Sequence, residues 1–396
     1  MTEQILPLSG ITVVSLEHAI AAPFASRQLA DLGARVIKVE RPGEGDFARR
    51  YDDRVQGLAS HFVWVNRSKE SLTLDLKNPL AMQALHKLLA KADVLIQNLA
   101  PGAAARMGLS YDQLKSPLPQ LIVCDISGYG VDGPDRDRKA YDLLIQSEAG
   151  FLSITGTPDT PSKAGCSIAD IAAGMYAFSS IQSALLLRAK TGHGSGIDVS
   201  MLESLAEWMG YPLYYSYHKA SPPERAGASH ATIFPYGPFK AGDGRSVMLG
   251  LQNDREWKVF CSAVLNHAEL ADDARFCSNA LRSANRVELT TLIEQAFSTL
   301  SSAQVSERLN AAEIANANMN TMHDLWDHQQ LQARNRWVQV NTPAGPIPAL
   351  KPPGRSTAYE PRMDDIPAVG AHTLAILNEL GFNAAAIHEL QAAKAI

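Results

Sequence analysis

Cysteine is scarce in this chain: four among 396 residues. Cys124, Cys166, Cys261 and Cys277 lie far apart and form no C-x-x-C pair. That excludes a disulfide framework and a cysteine-held structural zinc, and makes a reducing cytoplasm the expected location. Charge is sparse too, at 19% of residues, so more of the chain is expected to be buried than in an average domain. A net charge of -5 without any basic block excludes nucleic acid as the main partner. The start, "MTEQILPLSG", lacks the basic-then-apolar pattern of a secretion signal. One stretch nears membrane length, "IADIAAGMYAFSSIQSALLL" (168–187), but it carries Asp170, Gln182 and three serines. A membrane span keeps such groups rare, so a helix buried in a soluble core is expected, and no membrane partner. No G-x-S-x-G elbow is present; "GSG" at 194–196 has the serine without the spacing. His193, His230 and His372 stand alone without metal-ligand spacing, so no metal is expected.

What the chain does have is a literal G-x-G-x-x-G at Gly128, Gly130 and Gly133, directly after the strand-like "LIVCDIS". A dinucleotide fingerprint needs a helix to open there and hold a pyrophosphate at its N-terminus. Pro134, Asp135, Arg136, Asp137 and Arg138 follow instead, with no apolar period. The motif is a glycine-rich loop with another job.

The first two hundred residues alternate in type. "ITVVSL", "ARVIKVE", "DVLIQNL", "LIVCDIS" and "GIDVS" read as strands, separated by "PFASRQLADL", "PLAMQALHKLLAKA" and the helix after Ser167. This order implies βαβ units and a parallel sheet. Near Ser221 the composition turns to Pro, Gly and small residues, which reads as a linker or functional loop. A smaller α/β unit follows, with "RSVMLGL" as a strand and two helices, the second opened by Ser301-x-x-Gln304. The expected divisions are 1–205 for the large domain, 226–325 for the small one, and 335–396 for a segment returning to the large domain. That last segment reads as strand-like "WVQV", a Pro-rich "PAGPIPALKPPG" and the helix "TLAILNEL".

Ligands of open parallel sheets sit in the loops after the strands. Those loops bring His18, Arg41, Asn98, Arg106 and Lys139 to one edge, a rim of amides and cations suited to a ligand with phosphates and an adenine. Asp170 opens an otherwise apolar helix, where a carboxylate needs a reason to be. Two readings are open. Ser167-x-x-Asp170 matches a capping box, the simpler explanation on pattern alone. Alternatively the helix N-terminus favours the carboxylate and makes it a nucleophile toward an acyl carbon.

In several blocks the chain resembles the class III CoA-transferases, the superfamily of formyl-CoA transferase, carnitine CoA-transferase and α-methylacyl-CoA racemase. The blocks are "LSGITVVSLEHAIAAPFASRQLADLGARVIKVERPGEGD", "NRSKESLTLDLK", "NLAPGAAARMGL", "SGYGVDGP", "AYDLLIQSEAG", "SIADIAAGMYA", "TGHGSGIDVSMLES" and "GAHTLAILNELGF". The resemblance implies an α/β fold, with a Rossmann-like parallel-sheet large domain, a smaller α/β domain and an interlocked homodimer. It places Asp170 on the family's nucleophilic aspartate, in a D-x-x-x-G context closed by Gly174. It implies CoA contacts at His18, Ile20, Ala21, Arg41, Leu74 to Lys77, Asn98 and Arg106, and at Lys139, Ala140 and Tyr141 before Asp142. No tightly bound cofactor is implied; coenzyme A is part of the substrate. The chemistry implied is an aspartyl anhydride followed by an aspartyl-CoA thioester, under a lid at "RAGASHATIFPYG".

Two departures narrow the subgroup. Racemases have His where this chain has Tyr141, so α-proton removal lacks its base. Formyl-CoA enzymes have a polar Gln where this chain has Ile20, which disfavours oxalate as acceptor. "GASHATIFPYGPF" is most similar to the branch acting on C4–C5 dicarboxylic acids, with Arg225, His230, Tyr236 and Arg255 as candidates for the distal carboxylate. The expectation is a dicarboxylyl-CoA transferase, first of all mesaconyl-CoA C1–C4 transfer within one substrate. The alternative is intermolecular succinyl-CoA:dicarboxylate exchange; a racemase or a silent CoA-binding scaffold ranks lower.

Overall fold

A computed structural model describes residues 5–396. The chain divides into two compact units: one formed by the residues up to Ala149, Ala164–Met209 and Gln330–Ile396, the other by Gly150–Lys163 and Gly210–Gln329.

The first unit is built on β1 (Thr12–Leu16), β2 (Arg35–Glu40), β3 (Lys69–Thr73), β4 (Val94–Gln97), β5 (Ile122–Ser127) and β6 (Gly196–Ser200), in the order β3-β2-β1-β4-β5-β6. All five pairings are parallel; β1 sets Val13 beside Val36 of β2 and Val94 of β4. Val13, Val14 and Leu16 are buried, as expected of a strand covered on both faces. The order reverses between β1 and β4, so the loops leaving these two strands diverge and open a crevice at the carboxyl ends.

The helices that position the site are α1 (Ala21–Asp31), α2 (Pro79–Leu89), α3 (Asp142–Glu148), α4 (Ile168–Thr191) and α5 (Met201–Trp208). Small residues join α1 to α4: Ala21, Ala22 and Ala25 on one side, Ala172, Ala173 and Ala177 on the other, all buried. A Cβ on Gly174 would stand 2.8 Å from the Ala21 carbonyl oxygen and 3.1 Å from the Phe24 ring. The glycine that closes D-x-x-x-G is thus a helix-packing requirement. Asp170 lies one turn earlier on the same face of α4.

The sheet of the second unit is antiparallel, in the order β7 (Tyr236–Lys240), β8 (Ser246–Gly250), β9 (Ala315–Asn318). It packs with α6 (Arg286–Phe297) and α7 (Ser302–Ala311) around Phe239, Leu249, Trp257, Phe260, Ile293 and Phe297. Ser301 and Gln304 form the reciprocal capping box read from the sequence. The tail returns to the first unit as the hairpin β10 (Trp337–Thr342) and β11 (Gly345–Leu350), then α8 (Thr373–Glu379) and α9 (Ala384–Ala392).

Three sequence expectations need correction. The Pro-rich segment is a strand, β11; Pro346 and Pro348 face Asn341 and Gln339 in a two-stranded hairpin, where a missing N–H costs little. "YGPFK", read as loop, is β7, and "KESLT" is β3, whose charged residues hid it. Helix α4 is not buried all round: Ala169, Ala172, Ala173, Gly174, Ala177, Ile181 and Ala184 form its buried stripe, while Leu186 and Leu187 are exposed. Among the described residues no helix is long and apolar enough to cross a membrane.

Candidate active site

The loop leaving β1 is Glu17-His18-Ala19-Ile20, and two neighbours shape it. Asn98, just beyond β4, accepts the His18 N–H through Oδ1 and donates through Nδ2 to the His18 carbonyl, both at 2.9 Å. Asn98 is therefore a staple across the switch point between β1 and β4. Asp46 accepts the Ala19 N–H at 3.3 Å and the Ala48 N–H at 2.9 Å, capping the short 3-10 turn Phe47–Arg50. Ala19 takes a positive φ of 60° here, a conformation non-glycine residues adopt only where their surroundings hold them. The His18 ring stacks on Phe47 at 5.2 Å. Phe47 continues to Tyr51 at 5.7 Å and Tyr51 to His61 at 5.5 Å, making an aromatic wall.

Beneath the loop lies a buried ionic cluster. Lys69 Nζ donates to Glu17 Oε1 at 2.6 Å, and Lys38 Nζ to Asp46 Oδ2 at 2.8 Å and Glu17 Oε1 at 3.3 Å. Arg49 forks onto Glu40 with two bonds of 2.8 Å, and the Ser71 hydroxyl donates to the same carboxylate at 2.5 Å. Three acids face three bases. Burial by itself would raise Glu17, but Lys38 and Lys69 outweigh it and hold the carboxyl at about 2. Asp46 and Glu40 are also lowered: burial pushes each up, and Lys38 for the one and Arg49 for the other more than offset it. Burial brings Lys69 down to about 8 in spite of Glu17.

Asp170 lies in the first turn of α4 and retains partial exposure. Here the outcome is the reverse: burial, then the charge of Asp142, push its carboxyl up to about 7. The helix N-terminus does not hold it ionised, contrary to the sequence argument. The capping box is absent as well, because Ser167 makes no side-chain cap. The Ala169 N–H donates instead to Asp142 Oδ1 at 2.8 Å. The Tyr51 hydroxyl is raised by burial and by Asp46, Asp170 and Tyr141, which places these groups around one region.

The other sequence candidates divide by exposure. Arg41, Lys77, Arg106, Lys139 and Tyr141 are exposed at the ends of their loops, Tyr141 at 70%. Ile20, Ala21 and Leu74 are buried and turn their side chains into the core, so contact with a ligand would fall to their backbone. Ala140 packs on Gly128, where a Cβ would meet it at 2.1 Å. The first glycine of the G-x-G-x-x-G thus serves close packing, and no helix begins until Asp142. A cleft of about 350 Å³ lined by Pro42, Thr73, Thr373 and Gln391 opens beside the ends of β2 and β3.

Arg225, His230, Tyr236 and Arg255 all belong to the second unit. His230 Nδ1 accepts the Thr232 and Ile233 N–H groups at 3.2 and 3.1 Å, which leaves Nε2 as the protonated nitrogen. Its ring stacks on Tyr236 at 5.3 Å. Arg225 donates to the Thr157 and Pro158 carbonyls and lines a cavity of about 640 Å³ together with Arg286, Ser229 and Ser283. His230, Tyr236 and Arg255 do not line it, and Arg255 is exposed on the helix Asp254–Val259. The loop expected to be a lid is tied down at Gly227, whose N–H donates to the Gly156 carbonyl at 2.8 Å, and at Asn279, bonded to Thr232 and Phe234. Among the described residues no group of three or more His, Cys, Asp or Glu could hold a metal ion.

Sequence reasoning missed Asp142 as a cap, Tyr51, Arg286 and the whole ionic cluster. Its one visible signal was the charge within apolar "RVIKVE", where Lys38 and Glu40 sit in a strand that should be hydrophobic throughout.

Residues 8–373 match the family model described as CoA-transferase family III. Succinyl-CoA:glutarate CoA-transferase of Mus musculus is 33% identical over 391 residues, spanning 97% of this chain and 89% of that protein. Succinyl-CoA:mesaconate CoA-transferase of Haloarcula hispanica is 31% identical, spanning 85% of this chain and 86% of that protein. Among solved structures, a CAIB/BAIF family protein from Brucella suis superposes with a TM-score of 0.86 at 35% identity, covering 95% of this chain and all of that one.

Proposed function

The chain belongs to CoA-transferase family III, and from that premise we propose that it exchanges CoA between succinyl-CoA and a separate dicarboxylic acid through Asp170. The observation that carries the reading is one carboxyl, set by Gly174 against the first turn of α1 and shifted to about 7, beside the loop of His18. A carboxylate of that basicity is a better nucleophile than an ordinary aspartate and is still ionised in part at neutral pH.

Each step conserves charge without a proton. A carboxylate oxygen of Asp170 bonds to the thioester carbon, and the C–S bond breaks with its electron pair leaving on CoA. The thiolate then attacks the Asp170 carbonyl of the mixed anhydride, releasing succinate and leaving an aspartyl-CoA thioester. The acceptor carboxylate reverses both steps and departs as the new acyl-CoA. Arg41, Lys77, Arg106 and Lys139, exposed at the strand ends, suit the phosphates of CoA. The backbone at His18, Ile20, Ala21, Leu74 and Asn98, with Ala140 and Tyr141, would line its path.

Arg225, His230 through Nε2–H, Tyr236 and Arg255 are our candidates for the distal carboxylate. Exposed Leu186, Leu187 and Trp208 support burial in a homodimer, and four unpaired cysteines suit a reducing cytoplasm. Intramolecular mesaconyl-CoA transfer ranks second, because the mouse relative is named for exchange between two acids; the mesaconate relative keeps that acid among the acceptors.

The test supplies succinyl-CoA with glutarate, mesaconate or malate, and separately mesaconyl-C1-CoA alone. We expect turnover only with a second acid, loss of at least a thousandfold in Asp170→Ala, and conversion of Asp170 to a hydroxamate when hydroxylamine is added during turnover. Conversion of mesaconyl-C1-CoA to the C4 thioester without added acid would install the intramolecular reading instead.

A further inference from the structure

We propose that Asp142 is the positioning residue of Asp170, capping its helix from outside and favouring passage of the free carboxylate to the acyl-enzyme. The inference rests on Asp170 being the nucleophile.

The geometry is a three-part clamp. Asp142 is the first residue of α3. Its Oδ1 accepts the Ala169 N–H at 2.8 Å and its Oδ2 accepts Gln146 Nε2 at 2.7 Å. Gln146 is fully buried, and its Oε1 accepts the Ala164 N–H at 2.9 Å. The clamp therefore holds residue 164, where the chain re-enters the first unit, and residue 169, next to the nucleophile. Nothing local does this work: Ser167, in the N-cap position, contributes no side-chain bond.

The charge of Asp142 has a chemical consequence. Repulsion between two carboxylates exists only while Asp170 is a free anion. When its oxygen bonds to the acyl carbon, the negative charge leaves with the CoA sulfur and Asp170 becomes neutral. Asp142 thus destabilises the resting enzyme relative to the anhydride and the thioester, and assists the step that forms them. A further titratable group that interacts with Asp170 is Tyr51, which also feels Asp46 and Tyr141. Elements packed on α4 carry further charges, each occupied or placed elsewhere. Arg27 and Asp31 of α1 pair with each other, and Asp31 also with Arg67. Asp125 of β5 accepts from Gln97, and Asp198 of β6 accepts the Val131 N–H. Glu203 and Glu207 lie on α5.

The test reads the Asp170 carboxyl directly, by NMR of protein labelled with carboxyl-¹³C aspartate, using Asp170→Asn to assign the resonance. Asp142→Asn removes the charge and keeps an oxygen for Ala169; Asp142→Ala removes both. We expect the Asp170 midpoint to fall by about one pH unit in each. The value of kcat should fall about tenfold in Asp142→Asn with KM for succinyl-CoA little changed. Thermal stability should fall in both variants, further in Asp142→Ala, because Asp142→Asn keeps the bond from Ala169 and loses only the one from Gln146. In the unmodified enzyme the Asp170 midpoint should lie at about 7, a readout that needs no variant to fold. An unchanged midpoint in Asp142→Asn, or an Asp170 midpoint in the ordinary carboxylate range in the unmodified enzyme, would overturn the proposal. Failure of the nucleophile reading looks different: Asp170→Asn would keep its exchange activity whatever the midpoint does in the Asp142 variants.

Discussion

Two groups of carboxylates in the first unit, one buried and the other partly so, meet opposite fates. Glu17, Glu40 and Asp46 are taken out of water beside Lys38, Lys69 and Arg49, and remain charged, Glu17 down at about 2. Asp170 is taken out of water beside another carboxylate and rises to about 7. The desolvation cost has the same sign in both places; the neighbours decide the result. The acids of the cluster stay charged at physiological pH, and the cluster serves as a scaffold for the His18 loop. An uncompensated pair leaves the proposed nucleophile poised.

The comparison can be broken most violently in the cluster. Lys38→Met takes from Asp46 its lysine partner and leaves Glu17 with Lys69 alone, and should cost about 3–5 kcal/mol of stability in urea unfolding. Gly174→Ala comes next: its methyl meets the Ala21 carbonyl and should cost about 1–3 kcal/mol, with a loss of exchange activity because Asp170 shifts with its helix. Asn98→Ala removes two hydrogen bonds from the His18 backbone and should cost about 1–2 kcal/mol, with KM for the acyl-CoA rising more than kcat falls.

The smallest effect sharpens the contrast by sign. Asp170 binds its proton more tightly folded than unfolded, so its contribution to stability is lost as pH rises from about 4 through about 7. Asp170→Asn should therefore be more stable than the parent at pH 8, by about 1–2 kcal/mol once solvent screening of this partly exposed group discounts the full shift, and equal to it at pH 3. The cluster acids run the other way: Glu17 gives up its contribution as pH falls from about 4.5 to about 2. Thermal melts of both proteins from pH 3 to 9 check this. Equal stability of the two at pH 8 would remove the basis for a raised Asp170.

Much of this was legible in one dimension. The parallel sheet followed from apolar runs alternating with periodic helices, and of its strands only β3 escaped, masked by Lys69 and Glu70. The antiparallel strands β7, β9 and β11 escaped as well, masked by Gly237 and Pro238, by the polar run from Ala315 to Asn318, and by Pro346 and Pro348. Asp170 stood out because a carboxylate in an apolar helix is costly. What ties the site together did not stand out. Asp142 reaches Ala169 across 27 positions, Asn98 reaches His18 across 80, and Lys69 reaches Glu17 across 52. No local pattern encodes such distances.

The sequence by itself determined the class of fold, the order of the strand-end loops and the presence of one anomalous aspartate, because periodicity and misplaced polarity are properties of short windows. Only the tertiary structure decided what that aspartate is. An N-terminal position on a helix favours the carboxylate; burial beside a second carboxylate disfavours it, and the second effect won. Proton affinity is set by whichever charges the fold brings within a few ångströms, and in this protein those charges come from other parts of the chain.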